Sequence, residues 1–370
     1  MTKPLIRNCL TAIKPYVPGK PVEEVERELG LRDVIKLASN ENPLGPSPLA
    51  VETLKKQLAC LHYYPDGNCY YLKQELAERL KVGPENLIFG NGSDELLSLI
   101  TLAYLNPGEE ALAVQPTFSE YEFAVRLMEG TMRYVPLSGR DFDFDLEGLV
   151  GEVNEKTRLL FICSPNNPTG SIMRRRQLEA LLDRLPPGVL VVLDQAYYEY
   201  VTDPDYPSGL EYVQEGRPVI LLRTFSKIYG LAGLRIGYGI ASREIVQDLN
   251  RVREPFNVNS VAQVAARAAL GDQGHLERSR ALVEKGRKQL QEGLARIGLR
   301  PVPSQANFYF IDVGIDSRAV FQAMLRRGVI IRTGDIFGYP TYIRVNFGTE
   351  EQNRRFLAAL EEVLKELKGN

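Results

Sequence analysis

The chain has 370 residues, more than one hydrophobic core comfortably serves, so a large domain with a smaller companion is expected. Hydrophobic residues make up 44% and charged residues 25%, the balance of an ordinary globular protein, and a net charge of -2 excludes a long-range pull on nucleic acid or an anionic membrane. Cys9, Cys60, Cys69 and Cys163 show no CxxC spacing and read as reduced thiols of a cytoplasmic protein, and with only His62 and His275 present, a zinc site or a Ser-His-Asp triad is disfavoured.

The opening "MTKPLIRNCLTAIKPY" is broken by Pro4 and Pro15 and carries Lys and Arg within its apolar stretch. It does not read as a secretory signal, and no later run is apolar enough to span a bilayer. Further along, "NLIF" (86–89), "ALAV" (111–114), "RLLFIC" (158–163), "VLVVLD" (189–194) and "PVILLRT" (218–224) predict buried strands. Amphipathic stretches such as 94–105 and 174–185 lie between them. Strands that are apolar on both faces, alternating with helices, predict a mostly parallel sheet covered on both sides. The run Arg174–Arg176 reads as the solvated face of a helix start.

After Pro255 the texture changes. Long helical patterns at 260–270 and 276–298 precede short strands at 307–313, 328–334 and 341–348. A final helix is expected to open at Thr349, with Gln352 placed for a capping box and Phe356, Leu360, Val363, Leu364 and Leu367 on one face. The predicted class is therefore α/β with a smaller α+β part. The large domain is assigned to 36–255, and 1–35 with 256–370 form the smaller one.

Chemistry gathers at the strand ends. In "FGNGSDELLSL" (89–99) a strand runs through a glycine turn into a helix near Ser93 and Asp94, a setting that suits an anion, although a plain N-cap would look the same. "SPNNPTG" (164–170) follows a strand and offers Asn166 and Asn167 as amide donors, or as turn residues only. Asp194 ends an apolar strand, where a carboxylate is expensive unless it is paired; Tyr197, Tyr198 and Tyr200 follow it. In "RTFSKIYGLAGLRIGYG" (223–239) Lys227 is either a surface lysine or a partly desolvated nucleophile beside Thr224, Ser226 and Arg235. Pyridoxal 5′-phosphate needs a lysine for its aldehyde, a carboxylate for its ring nitrogen, donors for its phenolic oxygen, a flat wall and a phosphate cup. Lys227, Asp194, Asn167 with Tyr197, Phe118, and the 90–94 turn with Ser226 and Arg235 supply these in chain order.

On "SPNNPTG", "DQAY" and "TFSKIYGLAGLRIGYG" the sequence resembles the fold-type I pyridoxal-phosphate aminotransferases. On "IKPYVPGKPVEEVERELGLRDVIKLASNENPLGPSP", "YPDG", "NGSDE", "VREPFNVNSVAQ", "SQANF" and "YIRVNFGT" it is similar to the histidinol-phosphate branch of that family. The resemblance implies Lys227 as the Schiff-base lysine and proton shuttle, with Asp194 at the pyridinium. It implies Asn167 and Tyr197 at the phenolic oxygen, and Phe118 against the ring. Ser93, Asp94, Thr224, Ser226 and Arg235 would surround the phosphate. Tyr64 matches a tyrosine that reaches the phosphate of a neighbouring subunit, which implies a homodimer. Arg344 matches the arginine that grips the acidic end of the substrate, with Tyr16, Asn167 and Arg332 as further contacts. The implied reaction is ping-pong amino transfer between histidinol phosphate and 2-oxoglutarate in histidine biosynthesis. Aromatic amino acid transfer and threonine-phosphate decarboxylation on the same scaffold are the alternatives. Gln195 stands where a glutamate is common and is expected to matter little. A cofactor-bound transcription regulator is disfavoured because the chain opens close to the catalytic body.

Overall fold

The computed structural model describes residues 5–13, 15 and 19–369. Among these, twelve strands form three sheets. They are β1 (Ile35–Lys36), β2 (Leu87–Gly90), β3 (Glu110–Gln115), β4 (Thr131–Pro136), β5 (Thr157–Cys163), β6 (Leu190–Asp194), β7 (Val219–Thr224), β8 (Gly237–Ile240), β9 (Phe308–Asp312), β10 (Val329–Ile330), β11 (Arg332–Thr333) and β12 (Tyr342–Asn346).

The large sheet has the order β2-β8-β7-β6-β5-β3-β4. Neighbouring strands are parallel except where β8 meets β2 and β7. Its apolar strands sort by parity, as a two-residue side-chain period requires. Leu112, Val114, Leu160, Ile162, Val191, Leu193, Val219 and Leu221 enter the core on one face. Ala111, Ala113, Leu159, Phe161, Cys163, Leu190, Val192, Ile220 and Leu222 enter a second core on the other. A sheet buried on both faces is why these strands read as near-continuous hydrophobic runs.

Two strands escape the apolar pattern. Half of β8 is glycine, which carries little strand propensity, and Gly239 lies against Ile88 and Ile220. The edge strand β4 buries little beyond Val135 and carries Arg133 and Pro136. The run "GVIIRTG" is two strands: β10 pairs with β1 in parallel, and β11 pairs antiparallel with β12. The chain passes from one sheet to the other at Ile331. The strand β12 continues antiparallel onto β9. Helix Glu350–Lys368 begins as expected, with Thr349 and Gln352 forming the capping box. Arg174 and Arg175 are engaged with Asp203 and Glu211 at the surface, in keeping with a solvated helix start. Among the described residues no helix is long and apolar enough to cross a membrane.

Candidate active site

The order of the large sheet reverses between β3 and β5, because the chain adds β4 on one side of β3 and β5 on the other. Loops diverge at such a point and leave a crevice at the carboxyl ends of the strands. A cavity of about 270 Å³ lies there. It is lined by residues that follow β2, β3, β5, β6 and β7, by Arg235 just ahead of β8, and by Arg332 and Arg344 from the small sheet.

At the β2 end, helix Gly92–Tyr104 starts at Gly92 with Asn91 as its cap residue. Ser93 and Asp94 are therefore in the first turn and are not caps. First-turn N–H groups have no partner within a helix, which leaves them available to an anion. The strand β8 comes very close here. A Cβ at Gly237 would lie 2.6 Å from Ser93 N, and one at Gly92 (φ +76°) would lie 2.6 Å from an Arg235 guanidinium nitrogen. Arg235 donates to Asp94 Oδ2 at 2.9 Å and to Ala232 O at 3.2 Å, and it reaches Ser226 Oγ at 3.5 Å. The Ser226 N–H in turn donates to Thr224 Oγ1 at 3.0 Å. The result is a cradle of backbone N–H groups, hydroxyls and one guanidinium.

Lys227 follows the cradle directly. Its side chain is half-buried and lines the cavity, with Ser39 O at 3.3 Å and the Tyr197 ring 5.7 Å away. Burial lowers its pKa to about 8, helped by the Arg344 charge. About a tenth of the amine is thus neutral and nucleophilic at pH 7, far more than for an ordinary lysine. Asp194 ends β6 and is 3% exposed. Its Oδ2 accepts from the Tyr121 hydroxyl at 2.7 Å and its Oδ1 from the Ala196 N–H at 3.1 Å. Burial raises its pKa to about 6 against the pull of these hydrogen bonds.

Asn167 and Tyr197 flank the cavity beside Asp194. Asn167 Oδ1 accepts from Arg344 at 2.6 Å, so its amide NH₂ is the group left to donate. The Tyr197 hydroxyl accepts from Asn40 Nδ2 at 2.9 Å, which leaves its own proton to donate elsewhere. Asn166 is different: its amide is spent on Thr117, Pro116 and Thr169, so it serves the turn. Of the other tyrosines, Tyr198 supports the buried Arg223, whose guanidinium carbon lies 3.7 Å from the ring centre, and Tyr200 is in the core. Gln195 is fully buried away from the cavity, where it accepts from Arg223 Nε at 3.1 Å.

Arg332 and Arg344 are directly opposed in the β11–β12 ladder, so their side chains share a face, and both line the cavity. Arg344 also donates to Ala38 O at 2.6 Å. Tyr16 lies outside the described residues. Tyr64 is 84% exposed, stacks on Phe256 at 5.0 Å and does not line the cavity of its own chain. Sequence reading missed Ala38, Ser39, Asn40 and Glu41, which also form the wall. Asn40 adopts φ +57°, a region in which asparagine is enriched, and that is the one local signal it carries.

A mostly parallel sheet with a half-buried lysine, a buried carboxylate and an anion cradle on one edge is the architecture of the fold-type I transferases. Residues 32–360 match the family "Aminotransferase class I and II", and the chain belongs to it. A histidinol-phosphate aminotransferase of Moorella thermoacetica is 56% identical over 364 residues, covering 98% of this chain and 94% of that protein. One from Caldicellulosiruptor saccharolyticus is 48% identical over 97% of this chain and all of that protein. Among solved structures, the histidinol-phosphate aminotransferase of Sinorhizobium meliloti in complex with pyridoxal-5′-phosphate superimposes with a TM-score of 0.91 at 29% identity, over 99% of each chain.

Proposed function

We propose that this aminotransferase uses pyridoxal 5′-phosphate to move an amino group between L-histidinol phosphate and 2-oxoglutarate, as a cytoplasmic homodimer acting in histidine biosynthesis. The observation that carries the substrate reading is the opposed pair Arg332 and Arg344 at the wall of the lysine cavity. The full-length likeness to histidinol-phosphate aminotransferases supports the same reading. The cavity suits the cofactor because a Cβ at Gly92 or Gly237 would fill the cradle that a phosphate needs. In this reading Ser93, Asp94, Thr224, Ser226 and Arg235 hold the phosphate, Phe118 covers the ring, and Asn167 and Tyr197 donate to the phenolic oxygen. The body 36–255 carries these groups, and 1–35 with 256–370 bring the arginines.

When bound, the cofactor supplies an aldehyde that takes the amino group and a ring that accepts electrons as the substrate Cα loses its proton. Lys227 would hold the cofactor through that aldehyde, and its neutral Nζ would be the base that takes the proton from the substrate Cα and later gives it up. Asp194, as a carboxylate, would hold a proton on the ring nitrogen and so keep the ring able to accept charge. Arg344, steadied by Asn167 and Ala38 O, orients the acidic end of the substrate. The two half-reactions use one cavity in turn, so one anion site must take a phosphate and then a carboxylate. The guanidinium fork pairs with either.

The test compares kcat/KM for histidinol phosphate and phenylalanine in the parent and in Arg344→Ala. The parent should favour histidinol phosphate. Truncation should cost about 2–5 kcal/mol on the acidic substrate, the range for unpairing a buried charge, and less on phenylalanine. A parent that prefers phenylalanine would overturn the substrate assignment.

A further inference from the structure

Tyr121 has no part in the cofactor and substrate contacts assigned above beyond its hydrogen bond to Asp194. It sits on helix Glu120–Leu127, three residues after Phe118, and is fully buried. Its hydroxyl is 2.7 Å from Asp194 Oδ2, its ring stacks on Phe161 at 4.9 Å and 9°, and it meets Phe118 edge-on at 5.7 Å. Phe118 lines the cavity and Tyr121 does not.

We propose that Tyr121 is a positioning residue that holds Asp194 as an oriented carboxylate and ties it to Phe118, so that one side chain sets both the partner of the ring nitrogen and the wall against the ring. The inference rests on Asp194 being that partner. Asp194 has few donors. Ala196 N–H takes Oδ1 and Tyr121 takes Oδ2, and the two together fix the plane of the carboxylate. The phenol cannot change role, because burial and the Asp194 charge push its pKa well above 10, so it remains a donor throughout the working range. The stacking on Phe161 fixes the ring from which the hydroxyl projects. The same ring presents its edge to Phe118, so a shift of Tyr121 would displace carboxylate and wall together.

The groups around Asp194 allow a pH readout. Cys163, its partner on β5, and Tyr197 are held neutral by burial. Asp94 and Lys227 are the charged neighbours, Asp94 raising the Asp194 pKa and Lys227 lowering it. Lys227 titrates near 8, clear of the Asp194 transition near 6.

Tyr121→Phe removes the hydroxyl and keeps both ring contacts. Apoprotein of the variant should bind pyridoxal 5′-phosphate roughly 10–150-fold more weakly at neutral pH, the usual range for one hydrogen bond to a charged acceptor. The acid limb of affinity against pH should move upward, because the carboxylate has lost a donor that favoured ionisation. The melting temperature of the apoprotein should fall only modestly, because the variant keeps both ring contacts and loses one hydrogen bond. In an Asp194→Asn background the same substitution should add little, since the two changes remove one interaction. A Tyr121→Phe protein with the parental acid limb and affinity would overturn the proposal, as would a lowered melting temperature with an unmoved limb. If Asp194→Asn itself left affinity and turnover unchanged, the reading of Asp194 would fail first, and that result is distinct from the failure of Tyr121.

Discussion

Lys227 and Asp194 are displaced from their ordinary ionisation ranges in ways that have separate consequences. Burial lowers the lysine from 10.5 to about 8 and raises the aspartate from 3.8 to about 6. For Lys227 the unfolded chain binds more protons between about pH 8 and 10.5. The cost of the buried ammonium is therefore fully present below 8 and is relieved as pH rises through that window. For Asp194 the folded chain binds more protons between 3.8 and about 6, so ionising it costs stability as pH rises through that window. Both costs fall on the apoprotein. In the proposed function a pyridinium ring opposite Asp194 would offset the second, so cofactor affinity should weaken as pH falls through about 6 and the carboxylate takes up its proton. Attack on the aldehyde needs the neutral amine, so the rate of cofactor capture by apoprotein should rise with pH up to about 8 and level above it. Stopped-flow absorbance of apoprotein mixed with cofactor measures both limbs. In Lys227→Ala the upper limb should vanish, borohydride should fix no cofactor, and turnover should be lost. Near-normal turnover of that variant without an added amine would remove Lys227 from the chemistry.

At the scale of elements, the cradle is a meeting of strand β8 with the first turn of helix Gly92–Tyr104. Gly237→Ala puts a methyl 2.6 Å from Ser93 N, 2.7 Å from the Gly92 carbonyl carbon and 3.0 Å from Arg223 O. These are backbone atoms that cannot swing aside. The strain, about 1–3 kcal/mol for overpacking, should appear as roughly tenfold or greater loss of cofactor affinity, because the helix start must back away from the phosphate. Gly151→Ala, in a helix with nothing within 4 Å of the new methyl, should leave affinity unchanged. Equal affinities in the two variants would show that the close approach does not shape the cradle. The same strand marks where sequence reading stops. Strands β3, β5, β6 and β7 were legible because burial on both faces forces a continuous apolar run. The glycines of β8 carry no such signal, since they answer to a neighbour that pairing alone brings near. Within the site, Lys227, Asp194 and Arg235 were legible as costly residue types at strand ends. Tyr121 has an ordinary helix position, and only the register of β5 against β6 reveals what its hydroxyl meets. Ala38 and Ser39 contribute backbone carbonyls, and a backbone carbonyl has no letter in a sequence.

At the scale of the whole molecule, the cavity and Tyr64 belong to different surfaces of one chain. Over 58–71 the chain exposes Leu58, Leu61, Tyr63, Tyr64, Tyr70 and Tyr71, and the exposed Phe256 stacks on Tyr64. Scattered exposed apolar residues are ordinary, but a cluster with this many aromatic rings is the composition of a contact surface. A second copy of the chain is the occupant that would give Tyr64 a role, since in a two-fold dimer one patch covers its equivalent and each chain can lend a residue to the other's cavity. The stack on Phe256 would steady the ring for such a reach. The arrangement has a genetic signature. A Lys227→Ala dimer should be inactive, and a Tyr64→Phe dimer should lose affinity for cofactor and turn over poorly when cofactor is limiting. After subunit exchange, a hybrid pairs the intact Lys227 of one chain with the intact Tyr64 of the other at one site, and gathers both lesions at its second site. The mixture should therefore exceed the mean of the two homodimers in turnover and in borohydride-fixed cofactor. If each chain supplies its own Tyr64, no hybrid site is restored and the mixture equals that mean. Sedimentation of a monomer at assay concentrations would also refute shared sites, because it leaves no partner from which the tyrosine could come.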